Sequence, residues 1–119
     1  RGSIVNLASI LAFRTQKALS TYSISKAAVA QMTRTMAAEL AAHDIRVNAM
    51  APGYIATDMN SDFLYSSRGQ KMMAEVPLGR YGALEELDEC LLMLSGDRSK
   101  YLTGAVITID GGHALGIRD

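Results

Sequence analysis

Tryptophan is missing from this 119-residue sequence, cysteine occurs once, proline twice, and five tyrosines and two phenylalanines make up all the aromatic content. A single thiol, Cys90, excludes an intrachain disulfide, so packing rather than cross-linking has to hold the fold. In Glu89-Cys90-Leu91-Leu92-Met93-Leu94 it sits at helical core spacing without a histidine beside it and reads as a buried, inert side chain. No apolar stretch approaches the roughly 20 residues that cross a bilayer, and no charged leader precedes an apolar signal core. The expectation is a cytoplasmic protein with no membrane partner. An excess of one charge is lacking too: 12 basic and 12 acidic residues are interspersed, apart from the short Glu85-Glu86-Leu87-Asp88-Glu89 cluster. No basic stripe invites nucleic acid. The two histidines, His43 beside Asp44 and His113 in the C-terminal tail, have no ligand cluster between them, which argues against a metal site. Asp88 and Glu89 diverge around a helix as immediate neighbours and read as solvent-facing.

What is present suits one modest domain or part of a larger one, at 49% hydrophobic residues. Ser3-Ile4-Val5-Asn6-Leu7-Ala8 is an apolar, β-rich run with the character of a buried strand. A loop with Arg14, Thr15, Gln16 and Lys17 leads to a helix expected over Thr21 to Ala42. Ile24, Ala28, Met32, Met36 and Leu40 recur there along one face, seven alanines favour the helix, and Ser20 or Thr21 is the expected cap. Ile45 to Ala51 reads as a second strand stopped by Pro52-Gly53. The methionine-rich region from Thr57 to Leu78 is the least regular. Ala83 to Ser95 forms a further helix with an acidic first turn suited to the helix N-terminus, and Ala105 to Asp110 is a strand ended by Gly111-Gly112. Strand and helix alternation predicts parallel strands with right-handed crossovers, an α/β fold. Three strands are few for a sheet buried on both faces. The chain is therefore expected to form the C-terminal half of a larger doubly wound, Rossmann-like sheet.

Tyr22 and Lys26 carry the chemistry. Residues four apart share a helix face, so the ammonium can approach the phenol, and a nearby cation favours phenolate. A tyrosine so poised is a usable general acid or base. Ser9, at the end of the first strand, can orient a carbonyl oxygen. Alone, the Tyr-Lys spacing is a weak signal, and its bland reading is an amphipathic surface pair.

Neighbouring motifs change that balance. Ile4-Val5-Asn6-Leu7-Ala8-Ser9, thirteen positions before the tyrosine, Tyr22-Ser23-Ile24-Ser25-Lys26-Ala27-Ala28, Ile45 through Gly53 with Thr57-Asp58-Met59, Pro77 through Gly82, and Leu102-Thr103-Gly104 with Asp110-Gly111-Gly112 occur in order. In these the sequence resembles the short-chain dehydrogenase/reductase family, in the branch of acyl-carrier-protein and sugar-alcohol reductases. The resemblance implies hydride transfer between NAD or NADP and a ketone or secondary alcohol. It implies Tyr22 as general acid/base, Lys26 as its electrostatic partner and ribose ligand, and Ser9 as the group steadying the substrate oxygen. Pro52 and Gly53 would turn the chain toward the cofactor, with the Ile55 backbone and Thr57 hydroxyl contacting carboxamide and phosphate. Thr57 could otherwise cap a helix. Met59, Met72 and Met73 fall in the family's substrate-covering loop and could line a pocket or pack in a core.

The family's glycine-rich phosphate-binding turn, the residue selecting NAD or NADP, and the asparagine completing its proton relay have no counterpart here. Leu84 replaces a usual proline, and Asp88 a usual small residue. The expectation is thus a catalytic portion, inactive alone, of a homodimeric or homotetrameric oxidoreductase whose N-terminal half lies outside these 119 residues. A non-catalytic oligomerisation fragment, or a lyase or epimerase on the same scaffold, are the alternatives.

Overall fold

The structure, a computed structural model, describes residues 1–116. Strands β1 (Gly2–Leu7), β2 (Ile45–Pro52) and β5 (Val106–Ile109) form a parallel sheet in the order β1-β2-β5. Gly2 pairs with Ile45 and Leu7 with Met50; Ala49 pairs with Val106 and Pro52 with Ile109. Two short strands, β3 (Ile55–Ala56) and β4 (Gly82–Ala83), make a separate parallel ladder. The helices are α1 (Ser20–Leu40), α2 (Ser61–Leu64), α3 (Ser67–Met73) and α4 (Asp88–Ser95).

Two hydrogen bonds reveal the layers. Ser3 and Asn6 lie an odd number of positions apart on β1, so their side chains leave opposite faces. Ser3 Oγ donates to the Leu94 carbonyl on α4 at 2.6 Å, whereas Asn6 Nδ2 donates to Thr33 Oγ1 on α1 at 3.0 Å. Helices therefore cover both faces of a parallel sheet, the doubly wound arrangement anticipated from the alternation of elements.

Small residues make the packing face of α1. Ala30, Thr33 and Ala37 are buried, while Ile24 is 69% and Met32 43% exposed. At about 100° per residue the methionine-bearing stripe lies roughly a third of a turn from the buried one. Small side chains allow close approach to the sheet, where Ala8, Ala49 and Ala51 form a tight core against Val29 and Val106. The helix start differs from expectation: Leu19 is the N-cap and neither Ser20 nor Thr21 caps it by side chain. Asp44 closes the turn after α1 in the left-handed region, φ 56°, a conformation aspartate tolerates.

The expected Ala83–Ser95 helix is split into a 3-10 turn over Leu84–Leu87 and α4. Its acidic start does serve the helix N-terminus, because Glu86 accepts the Ala83 N–H at 2.7 Å and pairs with Arg80 at 2.8 Å. Cys90 is half-buried rather than buried, and its burial still pushes the thiol pKa up. Asp88 and Glu89 face solvent as expected. Among the described residues no helix is long and apolar enough to cross a membrane.

Candidate active site

The carboxyl ends of β1 and β2 and the start of α1 converge on a cavity of about 330 Å³. Its walls include Ser9, Leu19, Tyr22, Gly53, Tyr54 and Ile55. Ser9 and Tyr22, separate in sequence, are brought together by the crossover from β1 into α1.

Ser9 is 7% exposed and extended, and its Oγ accepts the Leu11 N–H at 3.1 Å, capping the 3-10 turn Ile10–Ala12. One lone pair is thereby occupied while the hydroxyl proton stays available to an acceptor in the cavity. Tyr22 lies in the first turn of α1, 45% exposed, and its hydroxyl makes no hydrogen bond among the described residues. Lys26 sits one turn further on, with Nζ 5.7 Å from the Tyr22 ring centroid and donating to the Leu7 carbonyl at 2.9 Å. The ammonium is thus tethered to the end of β1 beside the phenol rather than in the cavity wall.

Among the cofactor-side residues, Gly53 and Ile55 line the cavity while Pro52 and Thr57 do not. Pro52 ends β2 and Thr57 follows β3 directly. Gly53 is required by close approach: a Cβ there would lie 2.6 Å from Asp110 Cβ and 2.9 Å from its Cα. Thr57 caps no helix, since α2 begins four residues later with Asn60 at its N-cap.

Asn60 is one residue the sequence reading missed. Its Oδ1 accepts the Thr57 N–H and its Nδ2 donates to the Ile55 carbonyl, both at 2.8 Å, so one amide clamps the loop from both sides. Asparagine three positions after Thr57 is a usable turn signal. Tyr54 is another: its hydroxyl donates to Gln16 Oε1 at 2.5 Å, and burial raises its phenol pKa despite that bond. The Tyr54 ring lies 5.7 Å from the His113 ring and 6.3 Å from that of Tyr81.

His113, expected in a tail, is 1% exposed. Its Nε2 lies 3.7 Å from Glu75 Oε2, which pairs with Arg14 at 2.9 Å. Burial above all, and then Arg14, hold the imidazole below its ordinary pKa. No local pattern announces this cluster, because its members come from four distant segments. Met59 is 98% exposed and lines neither this cavity nor the neighbouring groove, whereas Met72 lines a second groove next to it. No group of three or more His, Cys, Asp or Glu among the described residues could hold a metal ion.

Residues 1–114 match the family model described as enoyl-(acyl carrier protein) reductase. The chain is 45% identical over 111 residues to a 3-oxoacyl-(acyl-carrier-protein) reductase of Thermotoga maritima, covering 93% of this chain and 45% of the relative. It is 41% identical over 112 residues to a cis-4-hydroxycyclohexanecarboxylate dehydrogenase of Sinomonas cyclohexanicum, covering 94% and 45%. A gluconate 5-dehydrogenase from Burkholderia cenocepacia, solved with NADP and tartrate, superposes with a TM-score of 0.90 at 27% identity, over 96% of this chain and 45% of that one. The chain spans about half the length of the relatives it matches.

Proposed function

This chain belongs to the short-chain dehydrogenase/reductase family, and we propose that it forms the C-terminal catalytic portion of an oxidoreductase acting on a ketone or secondary alcohol. The observation that carries this reading is the meeting of Ser9 and Tyr22 in one cavity, each with a hydroxyl proton not committed to the protein.

The residues present suit the nicotinamide half of NAD or NADP. Lys26 and the unspent hydroxyls of Tyr22 and Thr57 are donors for ribose and phosphate oxygens, and Asn60 holds the Ile55–Thr57 backbone in place. When bound, that cofactor supplies or accepts the hydride. Ser9 donates a hydrogen bond to the substrate oxygen and holds the carbonyl against Tyr22. Tyr22 gives its phenolic proton to that oxygen during reduction, or takes it during oxidation. Lys26 keeps a positive charge beside the phenol as negative charge develops there. NADP is bound in the gluconate 5-dehydrogenase; for this chain the proposal includes both dinucleotides.

The adenosine-binding half is assigned to residues beyond these 119. Among the described residues β1 pairs only with β2, and an apolar strand at a sheet edge suits a further neighbour. The exposed Ile24 and Met32 on α1 suit a homodimeric or homotetrameric contact.

The test uses the full-length protein. It is expected to oxidise NADH or NADPH with a ketone, and Tyr22→Phe to lower kcat by roughly 10² to 10⁴-fold. An unchanged rate in that variant rejects the mechanism.

A further inference from the structure

We propose that the substrate carries an anionic group, a carboxylate or a phosphate, several bonds from its reacting carbon, and that Lys17, Arg68 and Lys71 receive it. This rests on the oxidoreductase reading above. The evidence is a second groove, of about 700 Å³, that shares Leu19 and Tyr54 with the Ser9–Tyr22 cavity. A ligand held in the smaller cavity extends past these two shared walls into the larger space.

The charge of that groove is one-sided in a chain with none overall. Among the described residues, Arg14, Lys17, Arg68 and Lys71 line it against one carboxylate, Glu75. Arg14 and Glu75 neutralise each other at 2.9 Å. Lys17, Arg68 and Lys71 make no ion pair or hydrogen bond among the described residues. All three are exposed to solvent around one space, and an anion seated there gains charge-assisted hydrogen bonds from them.

Two segments supply them, α3 and the loop before α1. Arg68 and Lys71 are three apart on α3, hence on one face. Gly69 between them is buried against α2, where a Cβ would lie 2.2 Å from the Phe63 carbonyl oxygen, and Tyr81 donates to the Gly69 carbonyl. That contact fixes how α3 presents the two cations. Lys17 lines the same groove from the loop before α1, next to Gln16, which holds Tyr54, and before Ala18 with its positive φ of 68°. Phe63 and Met72 add apolar surface to the same groove for a carbon skeleton.

The experiment measures kcat/KM of the full-length enzyme on matched ketones: 4-oxocyclohexanecarboxylate against its carboxamide, and dihydroxyacetone phosphate against dihydroxyacetone. At least one anion is expected to exceed its neutral partner by about tenfold or more, as charge-assisted hydrogen bonds imply. The pair showing the larger ratio identifies carboxylate or phosphate. Raising salt from about 50 to 500 mM shrinks the ratio. The combined variant Lys17→Gln, Arg68→Gln and Lys71→Gln brings it toward one, while Arg68→Lys with Lys71→Arg retains it. Equal kcat/KM within both pairs, or a ratio unmoved by salt, overturns the proposal, and the salt series needs no variant to fold. Should no ketone be reduced, the oxidoreductase reading fails separately. Calorimetric binding of 4-oxocyclohexanecarboxylate and dihydroxyacetone phosphate then decides the anion site: salt-sensitive binding weakened by the triple substitution supports it, and its absence refutes it.

Discussion

Removing the Asn60 side chain is expected to weaken cofactor binding without touching the cofactor's own ligands. The amide accepts the Thr57 N–H and donates to the Ile55 carbonyl, each at 2.8 Å, and so spans the loop that the proposed function sets against the nicotinamide. Each bond contributes about 1 kcal/mol net. Asn60→Ala therefore releases about 2 kcal/mol of loop order, and a cofactor that needs the ordered loop must restore it on binding. Every 1.4 kcal/mol is tenfold, so the dissociation constant for NADH or NADPH should rise by roughly 25-fold. Asn60→Asp separates the two bonds: the carboxylate still accepts from Thr57 but faces the Ile55 carbonyl with no donor. It should be at least as damaging as alanine. Fluorescence titration of the full-length protein with the reduced cofactor reads the affinity, and hydrogen exchange at the Thr57 amide reads the loop. Unchanged affinity together with faster Thr57 exchange would show that the clamp holds a loop the cofactor ignores. Unchanged exchange would show that the clamp holds nothing.

Three other perturbations probe the scaffold. Asn48 is fully buried, donating to the Leu102 carbonyl at 2.9 Å and accepting the Ala105 N–H at 3.0 Å. Asn48→Leu strands both groups and should cost about 2–5 kcal/mol in urea unfolding, and a loss below about 1 kcal/mol contradicts that bookkeeping. Gly53→Ala puts a Cβ within 3 Å of the Asp110 backbone, while the Asp110 carboxylate is held by the Gly112 and Ala114 N–H groups at 2.8 and 2.7 Å. A loss of about 1–3 kcal/mol is expected from the forced shift, with a normal melting curve as the contrary result. His113 is depressed by burial and by Arg14, against the opposing pull of Glu75 and Asp110. The unfolded chain therefore takes up a proton below about pH 6.5 that the native state resists, so stability falls as pH drops through that value. Urea midpoints between pH 7.5 and 5 should show a slope that is reduced in His113→Phe, and an identical slope assigns the pH dependence to other groups.

Much of this molecule is legible in its sequence because the relevant signals are short-ranged. Strand and helix order follows from continuous apolar, β-rich runs and from an alanine-rich helical stretch, and Pro52-Gly53 ends β2 because proline and glycine interrupt a ladder. The Tyr22–Lys26 pairing follows from a helix returning to the same face every four residues. Amphipathic spacing did not pick out the packing face of α1: Ile24 and Met32 are exposed, and the sheet accepts Ala30, Thr33 and Ala37. Alanines occur on several faces of that helix, so close packing, not hydrophobicity, chose among them.

By itself, then, the sequence determined the three sheet strands and the long helix α1, the parallel arrangement implied by their alternation, and the shared face of Tyr22 and Lys26, since apolar runs and helical periodicity repeat within a few residues. Only the tertiary structure decided that Ser9 and Tyr22 share a cavity, that His113 is buried beside Glu75, and that Lys17 lines one groove with Arg68 and Lys71. Most of those contacts join segments brought together by the crossovers of a parallel sheet. Their distances are set by how helices pack on strands, which no local period encodes.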